Sequence, residues 1–222
     1  MKILISLVLC FMSYFTLAQE SKTVQYSDVS VAFGSDQLSF SIDYFHLWKL
    51  GKKKRIEVGL GGRFTSYFGQ SQYHTSAPAS LADPIKTDSL FLESPQVNAI
   101  NLAINIGYRI SPKFDAGFNI DAIGFSFGKK QDALFYSDDT ETSTTAKPTP
   151  FNLLLGGSKD QGSLNSEFYL RYFIKDNIAI KAAYQYLFIE YTTESKVQQL
   201  PESNDRFRGK ARIFSIGITK QF

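Results

Sequence analysis

Apolar and polar residues alternate with a period of two over long stretches of this chain. From Val97 to Ile110, one face carries Ile100, Leu102, Ile104, Ile106, Tyr108 and Ile110, and the other carries Ala99, Asn101, Ala103, Asn105, Gly107 and Arg109. Successive side chains of a strand point to opposite sides, so this pattern predicts a strand with one greasy and one polar face. The same period recurs in 56–68, where Ile56, Val58, Leu60 and Phe64 oppose Glu57, Gly59, Gly61, Arg63 and Thr65. It returns in 163–173, where Leu164, Phe168, Leu170 and Tyr172 oppose Asn165, Glu167, Tyr169 and Arg171. Reading on by the same rule adds strands near 24–33, 38–48, 114–127, 178–193 and 207–222, eight in all.

Each of these stretches has about the 9–11 residues that a tilted strand needs to cross a bilayer. Their connections alternate in length: 50–55, 111–113 and 175–177 are short, whereas 69–96, 128–162 and 194–206 are long. The first long-side connection, Gly34 to Gln37, is brief, and its position rests on parity alone. The expected fold is therefore all-β: an eight-stranded antiparallel transmembrane up-and-down β-barrel with short periplasmic turns and long extracellular loops. The register breaks at Phe45–Leu47 and at Ala122–Ile123, which predicts bulges there or the ends of the lipid-facing band.

Alternation alone does not say which face is buried. Gly59, Gly61, Gly107, Gly117 and Gly217 sit in the polar register, where a narrow lumen must save space. The apolar face is thus expected to meet lipid, and the polar face to fill the barrel. Expected lumen residues are Asp43, Glu57, Arg63, Asn101, Asn105, Arg109, Asp115, Asn119, Asp121, Glu167, Arg171 and Lys181. Unpaired charges are costly in a low-dielectric interior, so these should interlock in one network. Aromatic residues near strand ends, including Tyr44, Phe45, Trp48, Phe64, Tyr67, Phe68, Tyr184, Tyr186 and Phe188, are expected to form interfacial girdles.

Composition supports an exported protein. Lys2, the apolar run Ile3–Leu17 and the small residue Ala18 read as a secretory leader over 1–18, ahead of a barrel domain over 19–222. The single Cys10 lies in that leader, so neither a disulfide nor a thiolate metal site is expected. Removing the leader takes only Lys2 from 24 basic residues set against 21 acidic ones, and nothing in that balance suggests nucleic acid. Aromatic content is high at 15%, yet after the leader no run reaches the ~18 apolar residues of a spanning helix.

The last strand places Phe214, Ile216, Ile218 and the terminal Phe222 along one face, interrupted by Lys220. It resembles the C-terminal strand of bacterial outer-membrane proteins. The whole pattern, from leader to Phe222, resembles the small barrels of the outer-membrane protein A, X and W type. That resemblance implies the bacterial cell outer membrane as location, outer-membrane lipid and lipopolysaccharide as surroundings, and recognition of the terminal strand by the barrel-assembly machinery. A peptidoglycan-binding domain is not evident after the barrel, so the cell-wall anchoring of the A-type proteins is not implied.

Enzymes exist on this fold, and a catalytic one would need a base beside a nucleophile. The two histidines are His46, at a strand end beside Trp48, and His74, in the second long connection. His74 with Ser76 and Asp83 has the composition of a triad but not a fixed geometry, and no catalytic residue is assigned. The acidic groups Asp138, Asp139 and Glu141, or Glu202 and Asp205, match no defined calcium loop, and no metal or cofactor is expected. Lys52, Lys53, Lys54 and Arg55 form a basic run in a short turn, suited to lipid phosphates or to plain solvation. The apolar segment Phe151 to Leu155 is expected to plug the mouth, to dip into lipid, to bind a partner, or to extend the wall as a short strand.

Three functions compete at this point. A closed, charge-filled barrel would act in structure or in interaction through 69–96, 128–162 and 194–206. A narrow or laterally opening transport barrel would need an apolar path, with Leu187, Ile189 and 151–155 as lining. A lipid-modifying enzyme would need a fixed nucleophile and base that the sequence does not assemble.

Overall fold

The computed structural model describes residues 22–81, 88–137, 140–156 and 159–222. The leader expected over 1–18 lies outside the described residues, as do Asp83, Asp138 and Asp139. Thirteen strands follow one another: β1 Thr23–Gly34, β2 Gln37–Leu50, β3 Ile56–Gly69, β4 Gln72–Ser76, β5 Ser89–Leu92, β6 Gln96–Ser111, β7 Phe114–Phe127, β8 Gln131–Ser137, β9 Thr140–Pro148, β10 Phe151–Leu153, β11 Asn165–Lys175, β12 Ile178–Thr193 and β13 Arg206–Gln221. All pairings among them are antiparallel, and a short 3₁₀ turn, Ala79–Leu81, follows β4.

The eight longest strands pair in the order β1, β2, β3, β6, β7, β11, β12, β13. The circuit closes where β13 returns to β1, from Tyr26 opposite Gln221 to Phe33 opposite Phe214. Closure leaves no row of unpaired amides toward lipid, where each would cost several kcal/mol. Outside the ring stand Val29, Ile42, Leu60, Ile100, Ile104, Ile106, Leu170, Ile180, Ile216 and Ile218, all well exposed. Aromatic residues bracket this band: Tyr44, Trp48, Tyr108, Phe114 and Tyr172 toward the short-turn end, and Phe33, Phe68, Phe125 and Phe127 toward the other.

The sequence expectation of eight strands joined by irregular loops undercounts the sheet. Five further strands lie in the segments expected as long loops, and four of them form a second closed circuit at that end. β13 pairs with β4, β4 with β5, β5 with β8, β8 with β9, and β9 with β12, which already pairs with β13. Above the level where β1 leaves β13, β4 takes its place; where β11 leaves β12, β9 takes its place. This upper ring encloses an apolar core that includes Leu90, Leu92, Ala133, Phe135, Tyr191 and Phe207. Phe151–Leu153 is the short strand β10, paired with Phe125, Gly124 and Ile123 of β7, and so extends the wall.

Of the two expected register breaks, one is a bulge. Leu102 faces Ile123 and Ala103 faces Asp121, which leaves Ala122 as the extra residue. At Phe45–Leu47 the ladder is unbroken on both sides, and Phe45 and Leu47 point inward because the lumen itself turns apolar there. Phe45 and Tyr67 are accordingly buried inside and are not girdle residues. Gly117 belongs to the inner face: a Cβ there would overlap the Tyr169 hydroxyl, which reaches over β7 to donate to Asn105 Oδ1 of β6 at 3.0 Å.

His74 projects into the upper ring, edge-on to the Tyr191 ring at 5.3 Å between centroids. It lies against Gly209, where a Cβ would come within 2.9 Å of the imidazole. Burial pushes its pKa from the usual 6.5 down to about 4. A histidine held neutral stabilises the ring fully above pH 6.5, and that contribution is lost as the pH falls toward 4. Over that window the upper ring should weaken by on the order of 2–3 kcal/mol. Hydrogen exchange at β4 and β5 should accelerate between pH 7.5 and pH 5, after correction for intrinsic rates, and His74→Phe should abolish the acceleration. An equal pH response in the variant would contradict this role.

Candidate functional site

Inward-facing residues of the eight long strands stack in three layers. Nearest the short turns is an apolar cluster of Val24, Tyr26, Phe45, Leu47, Ala103, Phe173 and Ala179, interleaved with Glu57, Arg109 and Asp115. Nearest the upper ring, Tyr67, Val97, Leu187, Ile189 and Ile213 join the apolar core of that ring. Between them lies a layer of charges and amides.

Two cations organise this layer. The Lys181 Nζ reaches Glu167 at 2.9 Å, Asp28 at 3.3 Å and Asp43 at 3.4 Å. The Arg63 guanidinium donates from Nε to Asp43 at 2.9 Å, from Nη1 to Asp121 at 3.1 Å and from Nη2 to the Asn119 side-chain carbonyl. Asp43 therefore joins both. All of these side chains are fully buried. Neutral donors complete the carboxylates: Asn119 and Gln185 donate to Glu167 at 3.1 and 2.8 Å, and Asn101 donates to Asp121 at 2.7 Å. The Asn165 backbone N–H adds another bond to Asp121, at 2.9 Å.

A second group lies toward the short turns. Arg171 donates to Asp28 at 2.8 Å and stacks over the rings of Tyr26 and Tyr169, at 4.4 and 4.2 Å. Arg109 sits near Asp115 at 3.6 Å and Glu57 at 3.8 Å, and donates to the Tyr26 hydroxyl oxygen at 2.7 Å. Tyr26 in turn donates to Glu57 at 2.9 Å. Asp28 bridges the two groups, since both Arg171 and Lys181 reach it.

The twelve residues expected in the lumen all project inward; eleven are buried, and Arg109 keeps partial exposure near the lower opening. Asp28, Tyr26, Tyr169 and Gln185 complete the network and were not among the sequence candidates. Asp28 was legible by parity, because Val29 and Val31 lie on the opposite, apolar register. Phe214, Ile216, Ile218 and Phe222 line the outer face of β13 and its end, and all are well exposed.

Among the described residues, the remaining candidates do not gather into a reactive site. His74 and Ser76 are enclosed in the upper ring with almost no solvent contact. His46 packs edge-on against Trp48 at 5.2 Å and shares a hydrogen bond with the Gln25 side chain at 3.3 Å. Among the described residues, no three His, Cys, Asp or Glu side chains are arranged to hold a metal ion. Lys52 to Arg55 are exposed in the β2–β3 turn. Leu187 and Ile189 are buried inside the barrel, whereas Leu155 is exposed, so the lining expected for lateral transport is split between the two sides of the wall.

A closed antiparallel ring, apolar outside and charged within, is the architecture of a small membrane-spanning β-barrel of the bacterial outer-membrane kind. No protein-family model matches the chain, and no curated protein matches it by sequence. Solved structures similar to it include outer-membrane barrels. Neisserial surface protein A shares 11% identity over 91% of this chain and 98% of its own, with a TM-score of 0.40. The attachment invasion locus protein of Yersinia pestis shares 11% over 90% and 97%, with a TM-score of 0.37. The N-terminal barrel domain of Pseudomonas aeruginosa OprF shares 9% over 92% and 100%, with a TM-score of 0.36.

Removing one partner of a buried charge network strands the others, at a cost of about 3–5 kcal/mol. Lys181→Met should lower the stability of the refolded barrel by that amount in urea unfolding from lipid vesicles. Adding Glu167→Gln should restore part of it by removing one stranded charge. A loss under about 1 kcal/mol for Lys181→Met would contradict the network.

Proposed function

We propose that this chain is an integral outer-membrane protein whose eight long strands cross the bilayer as a sealed barrel, and that it acts in structure or interaction through its strand-extended outer end. On this reading the leader over 1–18 is removed and 19–222 forms the barrel. The three short turns face the periplasm, and the upper ring built from 69–96, 128–162 and β12–β13 faces outward. Phe214, Ile216, Ile218 and Phe222 serve as the assembly signal read by the barrel-assembly machinery. Outer-membrane lipid and lipopolysaccharide surround the wall, and any extracellular partner meets the upper ring.

The filled lumen is the observation that carries this reading. A conducting path would have to pass the apolar core of the upper ring, the interlocked charges below it, and the mixed apolar and charged cluster near the short turns. The cavity beside the charge layer, bordered by Thr65, Tyr67, Asn101, Asp121, Leu164 and Leu187, holds only about 10 Å³. That is roughly the space of one water molecule. Catalysis is not part of the proposal, because the charged groups of the lumen engage one another and present no nucleophile and base to a substrate.

The mature chain, refolded until it shows the heat-dependent gel shift of a closed barrel, should give no discrete single-channel steps in a planar bilayer. Reproducible steps from inserted protein would overturn the sealed-lumen reading in favour of a pore.

A further inference from the structure

The outer face of β13 carries cations at every second position: Arg206, Arg208, Lys210 and Arg212. Below them on the same face come Phe214, Ile216 and Ile218, so the stripe begins where the lipid-facing band ends. Its upper half already has partners. Glu190, buried on the neighbouring strand, accepts from Arg206 at 2.8 Å and from Arg208 at 2.6 Å. The Asp160 backbone carbonyl also accepts from both arginines. Asp160 lies between β10 and β11 in the chain, and Ser163, a little further on, accepts from the Glu190 backbone N–H at 3.1 Å.

The lower half is different. Lys210 and Arg212 are exposed, and neither makes an ion pair among the described residues. Arg212 lies over the Tyr186 ring at 5.7 Å, and Arg208 lies over the Phe188 ring at 4.7 Å. Tyr186 and Phe188 stand opposite Arg212 and Lys210 in the ladder and form one wall of an outward groove. The groove has a volume of about 580 Å³, with Ile120, Leu154, Leu155 and Leu164 as its other apolar walls. Ile120 pairs with Ile104 of the lipid-facing band, so the groove opens within the level of the bilayer's hydrocarbon. Its size falls in the range of ligand sites, roughly 300–1,000 Å³.

We propose that this groove and the Lys210–Arg212 pair form a binding site for lipopolysaccharide, with an acyl chain against Leu154, Leu155 and Leu164 and a lipid A phosphate against Lys210 and Arg212. Charge complementarity selects the occupant. Unpaired cations spaced about 7 Å apart along a strand, at the head of an apolar slot, match a phosphorylated amphiphile and not a neutral one. Cations that only snorkel to the interface need no adjoining slot, whereas here the Tyr186 ring links Arg212 to the groove wall. The site rests on the reading that the upper ring faces outward. Labelling of Lys210→Cys on intact cells with a membrane-impermeant maleimide checks that orientation separately.

The test uses the refolded full mature chain in detergent, titrated with bis-phosphorylated lipid A and read by native mass spectrometry. One lipid should be retained per barrel. Lys210→Gln with Arg212→Gln should weaken retention at least tenfold, as should Leu155→Asp in the exposed groove wall, while each variant keeps the heat-dependent gel shift. Dephosphorylated lipid A should also bind at least tenfold more weakly to the unaltered protein, which tests the phosphate without any substitution. Equal retention by the charge variant, or equal binding of dephosphorylated lipid A or of phosphatidylglycerol, would overturn the site.

Discussion

Lys181, held among Asp28, Asp43 and Glu167 inside a closed ring of strands, is the contact on which the rest of this structure depends. A bilayer forces the backbone to pair completely and the outer face to be apolar. With period-two alternation, every strand then delivers its polar residues to one narrow interior. Charges delivered there are tolerable only when they neutralise and hydrogen-bond one another. Lys181 and Arg63 supply that condition by tying together side chains from strands far apart in sequence, which also fixes the register in which the ring closes.

The same pressure accounts for the two apolar layers. Where the charge layer ends, the inner face changes from Asp43 to Phe45 and Leu47 below, and from Arg63 and Thr65 to Tyr67 above, without any change in strand geometry. The apolar surroundings exclude water and strengthen the ion pairs of Lys181 and Arg63. Above the membrane, strands β4, β5, β8 and β9 close a second ring on β12 and β13, so the long connections leave few unpaired edges. On the outer face Glu190 is buried against Arg206 and Arg208, which also donate to the Asp160 carbonyl, and there the simple rule of charges inward is reversed.

The wall was legible in the sequence because strict alternation over ten or more residues fits a strand with two unlike faces and fits neither a helix nor an irregular loop. Asn101, Asn105 and Arg109 could be assigned to the lumen from parity alone, and so could Asp28. The upper ring was not legible. The added strands have three to nine residues, and β9, with the sequence TETSTTAKP, carries almost no apolar alternation. Its pairings are also non-local: Thr75 of β4 meets Arg208 of β13, far along the chain. Phe45 and Tyr67 misled for a related reason, since an aromatic near a strand end fits a girdle and an apolar lumen layer equally well until neighbouring strands are in place.

A nitroxide scan along β13 tests the central claim most directly. Labels placed one at a time at 213 to 218 in bilayer-inserted protein would be compared for collision with oxygen and with a water-soluble nickel chelate. A sealed, charge-filled barrel predicts high oxygen and low nickel collision at 214, 216 and 218, and low values of both at 213 and 215. High nickel collision at 213 and 215 would mean a water-filled lumen and would contradict the account.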